Sequence, residues 1–220
     1  LSMRRLPLHD PGPADLVVDV EWSGISTGTE RLLWSGKMPP FPGMGYPLVP
    51  GYETVGRVVE AGADARTPVG ARIFVPGAKC FGDVRGLFGG AASRLVVPEA
   101  KTLSFDAALG QQGVLFALAA TAYHAVSAPG ARLPDLIIGH GVLGRLIARI
   151  VMAVGGPAPV VHESNPVRAA GATGYSVVDP EADERRNYAA ICDVSGDASI
   201  INALIMRLAK GGEITLAGFY

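Results

Sequence analysis

A glycine-rich segment in the second half of the chain constrains the fold more than any other feature. Gly139–Gly144 (GHGVLG) directly follows the apolar run Asp135–Ile138, which predicts a buried strand. The residues after it are apolar at helical spacing, and the helix that they predict stops at Gly155–Pro157. A Gly-x-Gly-x-x-Gly motif is informative in this context of strand, turn and helix, so the segment predicts a βαβ unit that binds a dinucleotide.

The three glycines of the motif have separate predicted roles in holding such a cofactor. Gly139 permits the tight turn off the strand, Gly141 lets the backbone approach the pyrophosphate, and Gly144 allows the helix to pack closely on the sheet. The pyrophosphate would lie at the positive N-terminus of the helix. The other motif residues are predicted cofactor contacts as well: His140, Val142 and Leu143.

An acidic residue at the end of the next predicted strand, Pro159–His162, favours NAD as the cofactor. Glu163 follows the first glycine at close to the expected spacing of about 20 residues. Its carboxylate can accept hydrogen bonds from ribose hydroxyls and would repel the extra phosphate of NADP. Arg168 could neutralise that phosphate, which keeps NADP open as the alternative. Ser195 and Gly218 are further candidate contacts, because both follow predicted strands and ligands bind beyond strand ends.

The two halves of the chain predict different architectures. Short alternating segments predict a β-rich first domain, residues 1–107. From residue 108 onward, strands alternate with helices, which predicts a parallel sheet in a second domain, residues 108–220. The expected fold class is therefore α/β. The predicted strands include Asp15–Trp22, Thr54–Ala61, Ala71–Pro76, Tyr175–Val178, Ala190–Val194 and Glu213–Ala217, and the predicted helices include Val114–Val126 and Ser199–Ala209, with a long loop at Trp34–Gly51.

The composition and charge of the chain exclude several classes of protein. The formal net charge of -1 over 220 residues gives no electrostatic reason to expect a nucleic acid partner. The sequence has no run of about eighteen apolar residues, so we expect no integral membrane segment. It begins without the apolar stretch of a secretory signal, which favours a cytoplasmic location. Cys80 and Cys192 are its only cysteines, too few for a four-cysteine zinc site.

Three short segments, together with the order of the predicted domains, resemble the zinc-type medium-chain dehydrogenase superfamily. Ser23–Ser26 resembles its S-G-I-C motif, Pro50–Glu53 its P-G-H-E and Thr121–Tyr123 its T-A-Y. The resemblance implies a GroES-like β-rich N-terminal domain followed by a Rossmann domain, which is a doubly wound parallel sheet. It also implies an alcohol dehydrogenase that uses a nicotinamide cofactor.

The residues at the superfamily's catalytic zinc positions differ from the family pattern. Ser26 stands where the family has a cysteine ligand, Tyr52 where it has a histidine, and Ala117 at the third ligand position. The lobe that carries four structural cysteines has no counterpart in the sequence. Because a catalytic zinc needs three protein ligands of N, S or O type, we expect an enzyme that works without zinc.

Without a metal, a side chain must polarise or deprotonate the alcohol oxygen. Tyr52 could donate to that oxygen or relay its proton, and His124 could act as a base, since an unperturbed imidazole pKa of about 6.5 suits neutral pH. Ser26, Thr29 and Thr121 could form a hydroxyl relay or bind the nicotinamide ribose. An aromatic packing role for Tyr52 and a structural or surface role for His124 remain open as alternatives.

Longer segments are similar to one subfamily, the bacteriochlorophyllide a dehydrogenases of bacteriochlorophyll biosynthesis. They include residues 24–53, 74–93 and 113–125. This resemblance implies NAD-dependent oxidation of the hydroxyethyl group of a chlorophyllide-type tetrapyrrole to acetyl. It also implies a homodimer in the full-length form and a cytoplasmic location peripheral to the photosynthetic membrane. Superfamily members continue beyond the equivalent of Tyr220, so we expect a C-terminally truncated chain.

Two other functions are compatible with the same residues. One is a zinc-less quinone or enone reductase that uses NADPH, against which Glu163 argues, and the other is a non-catalytic NAD-binding sensor. The tetrapyrrole of the first interpretation is large and flat, and it would need an apolar, aromatic slot. Candidate side chains for that slot are Trp34, Met38, Phe41, Met44, Tyr46, Phe81 and Phe88.

Overall fold

The computed structural model of the protein describes residues 1–218, and Phe219 and Tyr220 lie outside the described residues. The chain forms two compact units, Leu1–Ala117 and Leu118–Tyr220. The first unit extends past residue 107 because a 3-10 helical segment, Ala107–Leu115, packs on its sheet. Phe116 continues this packing, with its ring centroid 5.7 Å from that of Phe74.

The first unit is built on a five-stranded antiparallel sheet. The described part of the unit has seven strands, of which five form this sheet. They are β1 (Asp15–Ser23), β2 (Leu48–Val49), β3 (Thr54–Ala61), β4 (Arg72–Val75), β5 (Arg85–Gly86), β6 (Arg94–Pro98) and β7 (Leu103–Ser104). The main sheet has the order β6-β1-β3-β4-β7, while β2 pairs with β5 separately. Leu16, Val58, Ile73 and Leu95 are buried in the core that this sheet encloses. The three strands predicted in this region are confirmed to within a residue or two at their ends.

The loop predicted at Trp34–Gly51 is partly regular. A short helix, α1 (Thr29–Ser35), runs into it and ends at Gly36, whose φ of 69° lies in the left-handed region that favours glycine. Leu33 anchors the helix, because its side chain is buried. A helix of 7 residues is too short to show a clear apolar period, so the sequence pattern did not predict it.

The second unit contains a five-stranded parallel sheet in the order β10-β9-β8-β11-β12. Its strands are β8 (Leu136–Ile138), β9 (Val160–His162), β10 (Ser176–Val178), β11 (Tyr188–Asp193) and β12 (Leu208–Leu216), and the helices beside them are α2 (Phe116–Ser127), α3 (Val142–Ala153), α4 (Pro166–Ala169) and α5 (Ile201–Ile205). The chain runs outward from β8 to β10 and then returns to β11 on the other side of β8. Ligands of such sheets bind beyond the strand ends at this switch point.

The helix predicted at Ser199–Ala209 is wrong at its C-terminal end. The helical residues stop at Ile205, and Leu208 already pairs with Tyr188 in the sheet. Gly211, with a φ of 72°, allows the irregular register that carries the strand on to Leu216. The strand is favoured over a longer helix because it packs Leu208 against buried residues of the second unit.

No helix within residues 1–218 is long and apolar enough to cross a membrane. The two cysteines lie in different units, Cys80 in the first and Cys192 in the second. Both thiols are free and buried, and burial raises their pKa values, so both are protonated near neutral pH.

Candidate active site and dinucleotide-binding turn

The glycine-rich turn after β8 has the backbone geometry that a bound phosphate requires. Gly139 has a φ of 100°, which L-residues rarely adopt. A Cβ on Gly144 would lie 1.9 Å from the Gly139 carbonyl oxygen, so only glycine lets α3 sit this close to the turn. A Cβ on Gly141 would meet no described atom within 4 Å, which leaves the outer side of the turn open. Gly141 is also the N-cap residue of α3 and has no side chain to cover the first amides of the helix.

His140 turns its side chain into the protein. The imidazole is fully buried, with Nδ1 at 2.6 Å from the Arg168 carbonyl oxygen and Nε2 at 2.7 Å from the Tyr175 hydroxyl. A carbonyl only accepts, so Nδ1 donates, and in the neutral ring Nε2 accepts from Tyr175. The sequence predicted this side chain beside the phosphates, whereas it lies on the inner side of the turn and joins the turn to the loop after β9.

Glu163 stands at the carboxyl end of β9, directly beside the glycine-rich turn. Its Oε2 accepts from the backbone amide of His140 at 3.1 Å and its Oε1 from that of Asn165 at 2.8 Å. These two bonds fix a nearly buried carboxylate next to the turn. Arg168 reaches the same carboxylate, with Nε 3.5 Å from Oε2, while most of its side chain remains exposed.

Arg145 is a residue of this site that the sequence reasoning missed. From the first turns of α3 its guanidinium donates to the carbonyls of His140, Arg168 and Ala170, at 3.1, 2.8 and 2.7 Å. The arginine therefore ties the C-terminal end of α4 to the glycine-rich turn. A cation on a helix usually marks a solvated face, so the sequence carried no signal for this role.

The remaining predicted cofactor contacts lie at the same end of the parallel sheet. Val142 begins α3 and is half-exposed, and Leu143 is partly buried behind it. Ser195 follows β11, where its amide donates to the Asp193 carboxylate at 2.8 Å. Gly218 lies just after β12 and is partly buried. All four follow the carboxyl ends of strands β8, β11 and β12, as a dinucleotide contact in this fold would.

The first unit brings three predicted catalytic residues together. The Thr29 and Tyr52 hydroxyl oxygens are 3.4 Å apart, and the Ser26 hydroxyl accepts from the Thr29 amide at 3.2 Å. The ring of Phe88 packs edge-on against Tyr52, with centroids 5.5 Å apart. Burial raises the pKa of Tyr52, although hydrogen bonds from Ser26 and Thr29 oppose the shift. Tyr52 is therefore a neutral hydroxyl in the working pH range.

Two carboxyl groups lie close to these hydroxyls. Glu53 is only 4% exposed, and its side chain packs so tightly over Gly24 that a Cβ there would lie 2.3 Å from Oε2. Burial is the main cause that raises the pKa of Glu53, and the nearby charge of Glu30 adds to it. Burial likewise raises the pKa of Glu30. The sequence reasoning missed Glu30, which lies on α1, a helix that it did not predict.

The other two predicted catalytic residues, Thr121 and His124, belong to the second unit. Both lie on α2 with exposed side chains. Ser26, Thr29 and Tyr52 therefore lie close together in the first unit, whereas Thr121 and His124 lie on α2 in the second unit.

The aromatic side chains predicted for a substrate slot divide into two sets. Trp34, Tyr46 and Phe88 are exposed on the first unit, and Ile25 of the same unit is 80% exposed. Phe81, in contrast, is buried in the core of that unit. Phe81 therefore has a packing role, because its ring completes the apolar interior of the sheet.

No group of three histidine, cysteine, aspartate or glutamate side chains within residues 1–218 has the arrangement of a metal site. Ser26 and Tyr52 present hydroxyls at two of the superfamily's three ligand positions, and Ala117 presents a methyl group at the third.

The order of a β-rich unit and a doubly wound parallel sheet defines a medium-chain dehydrogenase, as the sequence predicted. Residues 12–107 match the alcohol dehydrogenase GroES-like domain family. One solved structure with a similar fold is described as a zinc-binding dehydrogenase from Sinorhizobium meliloti 1021 bound to NADP. It is 25% identical in sequence to this chain and superimposes with a TM-score of 0.79, and the match covers 98% of this chain and 72% of that protein. The 2R,3R-butanediol dehydrogenase of Bacillus subtilis is 22% identical with a TM-score of 0.80, covering 98% and 73%, and shares the fold.

Two curated relatives narrow this class. Proteins named 2-desacetyl-2-hydroxyethyl bacteriochlorophyllide A dehydrogenase are 59% identical in Rhodobacter capsulatus and 55% identical in Cereibacter sphaeroides. The alignments cover 97% and 100% of this chain and 68% and 71% of those proteins. The chain therefore belongs to the 2-desacetyl-2-hydroxyethyl bacteriochlorophyllide A dehydrogenase family, and it is an oxidoreductase. The resemblance seen in the sequence is confirmed.

Proposed function

We propose that this protein oxidises the hydroxyethyl group of a bacteriochlorophyllide to an acetyl group, with NAD as hydride acceptor and without a catalytic zinc. The names of the two curated relatives support the substrate. The observation that carries the chemistry is the hydroxyl cluster in which Thr29 contacts both Ser26 and Tyr52. Ser26 and Tyr52 stand at two of the superfamily's three zinc-ligand positions.

The glycine-rich turn supports a dinucleotide cofactor and favours NAD over NADP. Gly141 leaves open space at the helix N-terminus, where a pyrophosphate accepts from backbone amides. Glu163 places a carboxylate beside that space, and it would repel a 2′-phosphate. Arg168 already pairs with Glu163, which weakens it as a phosphate ligand.

NADP is the alternative cofactor, supported by the exposed Arg168 guanidinium and by the structurally similar protein that was bound to NADP. Titration of the protein with NADH and NADPH, followed by the fluorescence of the reduced nicotinamide, separates the two. We expect tighter binding of NADH. Tighter binding of NADPH would favour the quinone or enone reductase, the alternative that the sequence left open.

The exposed apolar residues of the first unit support a large, flat substrate. Ile25 and Trp34 lie on either side of Ser26 and Thr29 in the sequence, and the ring of Phe88 packs on that of Tyr52. A contiguous exposed apolar patch usually marks a binding surface. We propose that these side chains contact the macrocycle while Tyr52 faces the oxygen of its hydroxyethyl group.

The reaction removes a hydride from the carbinol carbon and a proton from the hydroxyl. NAD, when bound, supplies the acceptor for the hydride. The Tyr52 hydroxyl would donate to or accept from the substrate oxygen, and Thr29 would orient that phenol across the 3.4 Å between their oxygens. Phe88, packed on Tyr52, would exclude water from the reacting atoms. Thr121 and His124 remain candidates for binding the nicotinamide ribose or moving a proton.

A spectral assay tests the proposed function. The protein is incubated with NAD and hydroxyethyl bacteriochlorophyllide, and the pigment spectrum is followed together with the formation of NADH. We expect the long-wavelength band to shift to the red as the acetyl group conjugates with the ring, with one NADH formed for each pigment converted. Binding of NAD without conversion would favour the non-catalytic sensor. Stoichiometric zinc in the active protein would contradict the metal-free chemistry.

The homodimer and the peripheral membrane location implied by the family resemblance are also proposals. Analytical ultracentrifugation should give a dimer mass for the full-length form. Flotation with liposomes should show weak, reversible association, because the exposed apolar side chains of Ile25 and Trp34 could contact lipid as well as pigment.

A further inference from the structure

Two carboxyl groups near the hydroxyl cluster have buried oxygens without a hydrogen-bond partner among the described residues. The Glu53 Oε1 and both side-chain oxygens of Glu30 are inaccessible to solvent and have no hydrogen-bond partner among the described residues. Neither side chain forms an ion pair with a described lysine, arginine or histidine. Burying an unpaired carboxylate costs stability, so an arrangement with two of them requires a functional reason.

The two carboxyls act on each other and on Tyr52. The charge of Glu30 raises the pKa of Glu53, while a hydrogen bond with Tyr52 opposes this shift. Burial is the main cause that raises the pKa of Tyr52, and the charges of both carboxylates add to this shift. The backbone of Glu30 and the backbone and hydroxyl of Ser26 oppose the rise that burial causes in the pKa of Glu30. Within residues 1–218, the cluster therefore contains two acids and several hydroxyls, and no cation forms an ion pair with either acid.

Tyr52 is poorly suited to act as the final proton acceptor, because that role would require a negatively charged phenolate. A phenolate at this position would be buried and would face two carboxyl groups, both of which disfavour it. A neutral phenol can still pass a proton, because a hydroxyl donates and accepts at the same time. A base must then lie behind it, and a carboxyl whose pKa is raised toward neutrality is an effective one.

We propose that Glu53 is the terminal proton acceptor of the dehydrogenation, that Tyr52 passes the proton to it, and that Glu30 sets its basicity. This inference rests on the proposed function. As the substrate O–H bond breaks, its proton moves to the Tyr52 oxygen while the phenol proton moves to the Glu53 carboxylate. A nicotinamide held at the glycine-rich turn would accept the carbinol hydrogen with its electron pair as hydride, so that the C=O bond could form. Release of the proton from Glu53 restores the carboxylate.

Isosteric amide variants test this relay. In Glu53→Gln we expect kcat to fall by about 100-fold or more while KM changes little, because a general base typically contributes 10²–10⁴-fold. In Glu30→Gln we expect the acidic limb of the kcat–pH profile to move to lower pH, since Glu53 loses the neighbouring charge that raises its pKa. Glu60→Gln is the matched control, because Glu60 is exposed on β3 of the same unit.

A measurement that needs no turnover accompanies the kinetics. A raised folded-state pKa means that the folded protein binds more protons than the unfolded chain, so this contribution to stability is present at low pH and is lost as pH rises through the folded pKa. Gln cannot ionise, so Glu30→Gln should raise Tm relative to wild type at pH 8 and have a smaller effect at pH 4. Infrared spectra of wild type should show a protonated carboxyl band that titrates above the usual range and weakens in each variant.

The outcomes separate the two proposals. Wild-type protein that binds NAD yet fails to oxidise the pigment overturns the proposed function. An active wild type whose Glu53→Gln and Glu30→Gln variants keep its kcat and pH profile overturns the relay. If Glu53→Gln folds poorly over Gly24, Glu53→Asp keeps the acid while shortening its reach, and an unchanged kcat in that variant would also count against the relay.

Discussion

Replacement of Gly141 or Gly144 by alanine should separate the roles of these two glycines of the glycine-rich turn in cofactor binding and in folding. In Gly144→Ala the new Cβ would lie 1.9 Å from the Gly139 carbonyl, whereas real Cβ contacts essentially never fall below 3.0 Å. The atom that it meets is backbone, so α3 must move away from the turn by at least about 1 Å. In Gly141→Ala the Cβ would meet no described atom within 4 Å, and the φ of -74° is one that alanine adopts freely.

The expected magnitudes follow from these distances. Overpacking of this kind costs about 1–3 kcal/mol, which lowers the Tm of a unit of roughly 100 residues by about 5–20 °C in Gly144→Ala. Gly141→Ala should cost about 1 kcal/mol or less, a fall in Tm of at most about 4–8 °C, because the loss is limited to the preference of an N-cap position for glycine over alanine. Its methyl group would instead occupy the space of the pyrophosphate and weaken NADH binding by about tenfold or more, or about 1.4 kcal/mol.

Thermal melting with and without NAD, together with NADH fluorescence titration, measures both effects on the same samples. NAD should raise the Tm of wild type but give little shift in Gly141→Ala. A Gly144→Ala protein as stable as wild type, or a Gly141→Ala protein with unchanged NADH affinity, would refute the assignment of these two roles.

Three further substitutions extend the reasoning. Glu163→Ala should weaken the binding of NADH and reduce the ratio of NADH affinity to NADPH affinity, because the carboxylate beside the turn is removed. An unchanged ratio of the two affinities in titrations would contradict this prediction. His140→Phe should lower the free energy of unfolding by about 1–3 kcal/mol, since it leaves the buried Tyr175 hydroxyl without its partner, and chemical denaturation without such a loss would argue against the inner network. Tyr52→Phe should lower kcat by about 100-fold with nearly normal NADH binding, and Tyr123→Phe, an exposed tyrosine on α2, should match wild type in the same assay.

The elements around the glycine-rich turn were predictable because their signals are local. The strand before the turn, the glycines and the helix α3 form one continuous segment, and Glu163 follows at a spacing that the βαβ unit dictates. The strands β1 and β3 were predictable for the same reason, since each carries its alternating pattern within its own length. The short helix α1 was not, because Thr29–Ser35 is held by the burial of Leu33 rather than by a period.

The orientation of side chains was not predictable at the same level. His140 stands between two glycines of a phosphate-binding motif, yet its imidazole turns inward because Arg168 and Tyr175, distant in sequence, supply its hydrogen-bond partners. The sequence alone gives Arg145 the appearance of a surface cation. In the folded chain, the segment after β9 presents the carbonyl groups of Arg168, Ala170 and Gly171 to its guanidinium.

By itself the sequence determined the βαβ unit, the position of Glu163 at the end of its second strand, the family, and the presence of Ser26 and Tyr52 at zinc-ligand positions. These conclusions depend on residue types at fixed spacings, which a linear chain displays. Only the tertiary structure decided that Glu30 and Glu53 come close to each other and to Tyr52, with both Glu30 carboxyl oxygens and the Glu53 Oε1 inaccessible to water. Burial and charge proximity depend on which segments pack against each other, and therefore the chemistry of those two acids is a property of the folded chain alone.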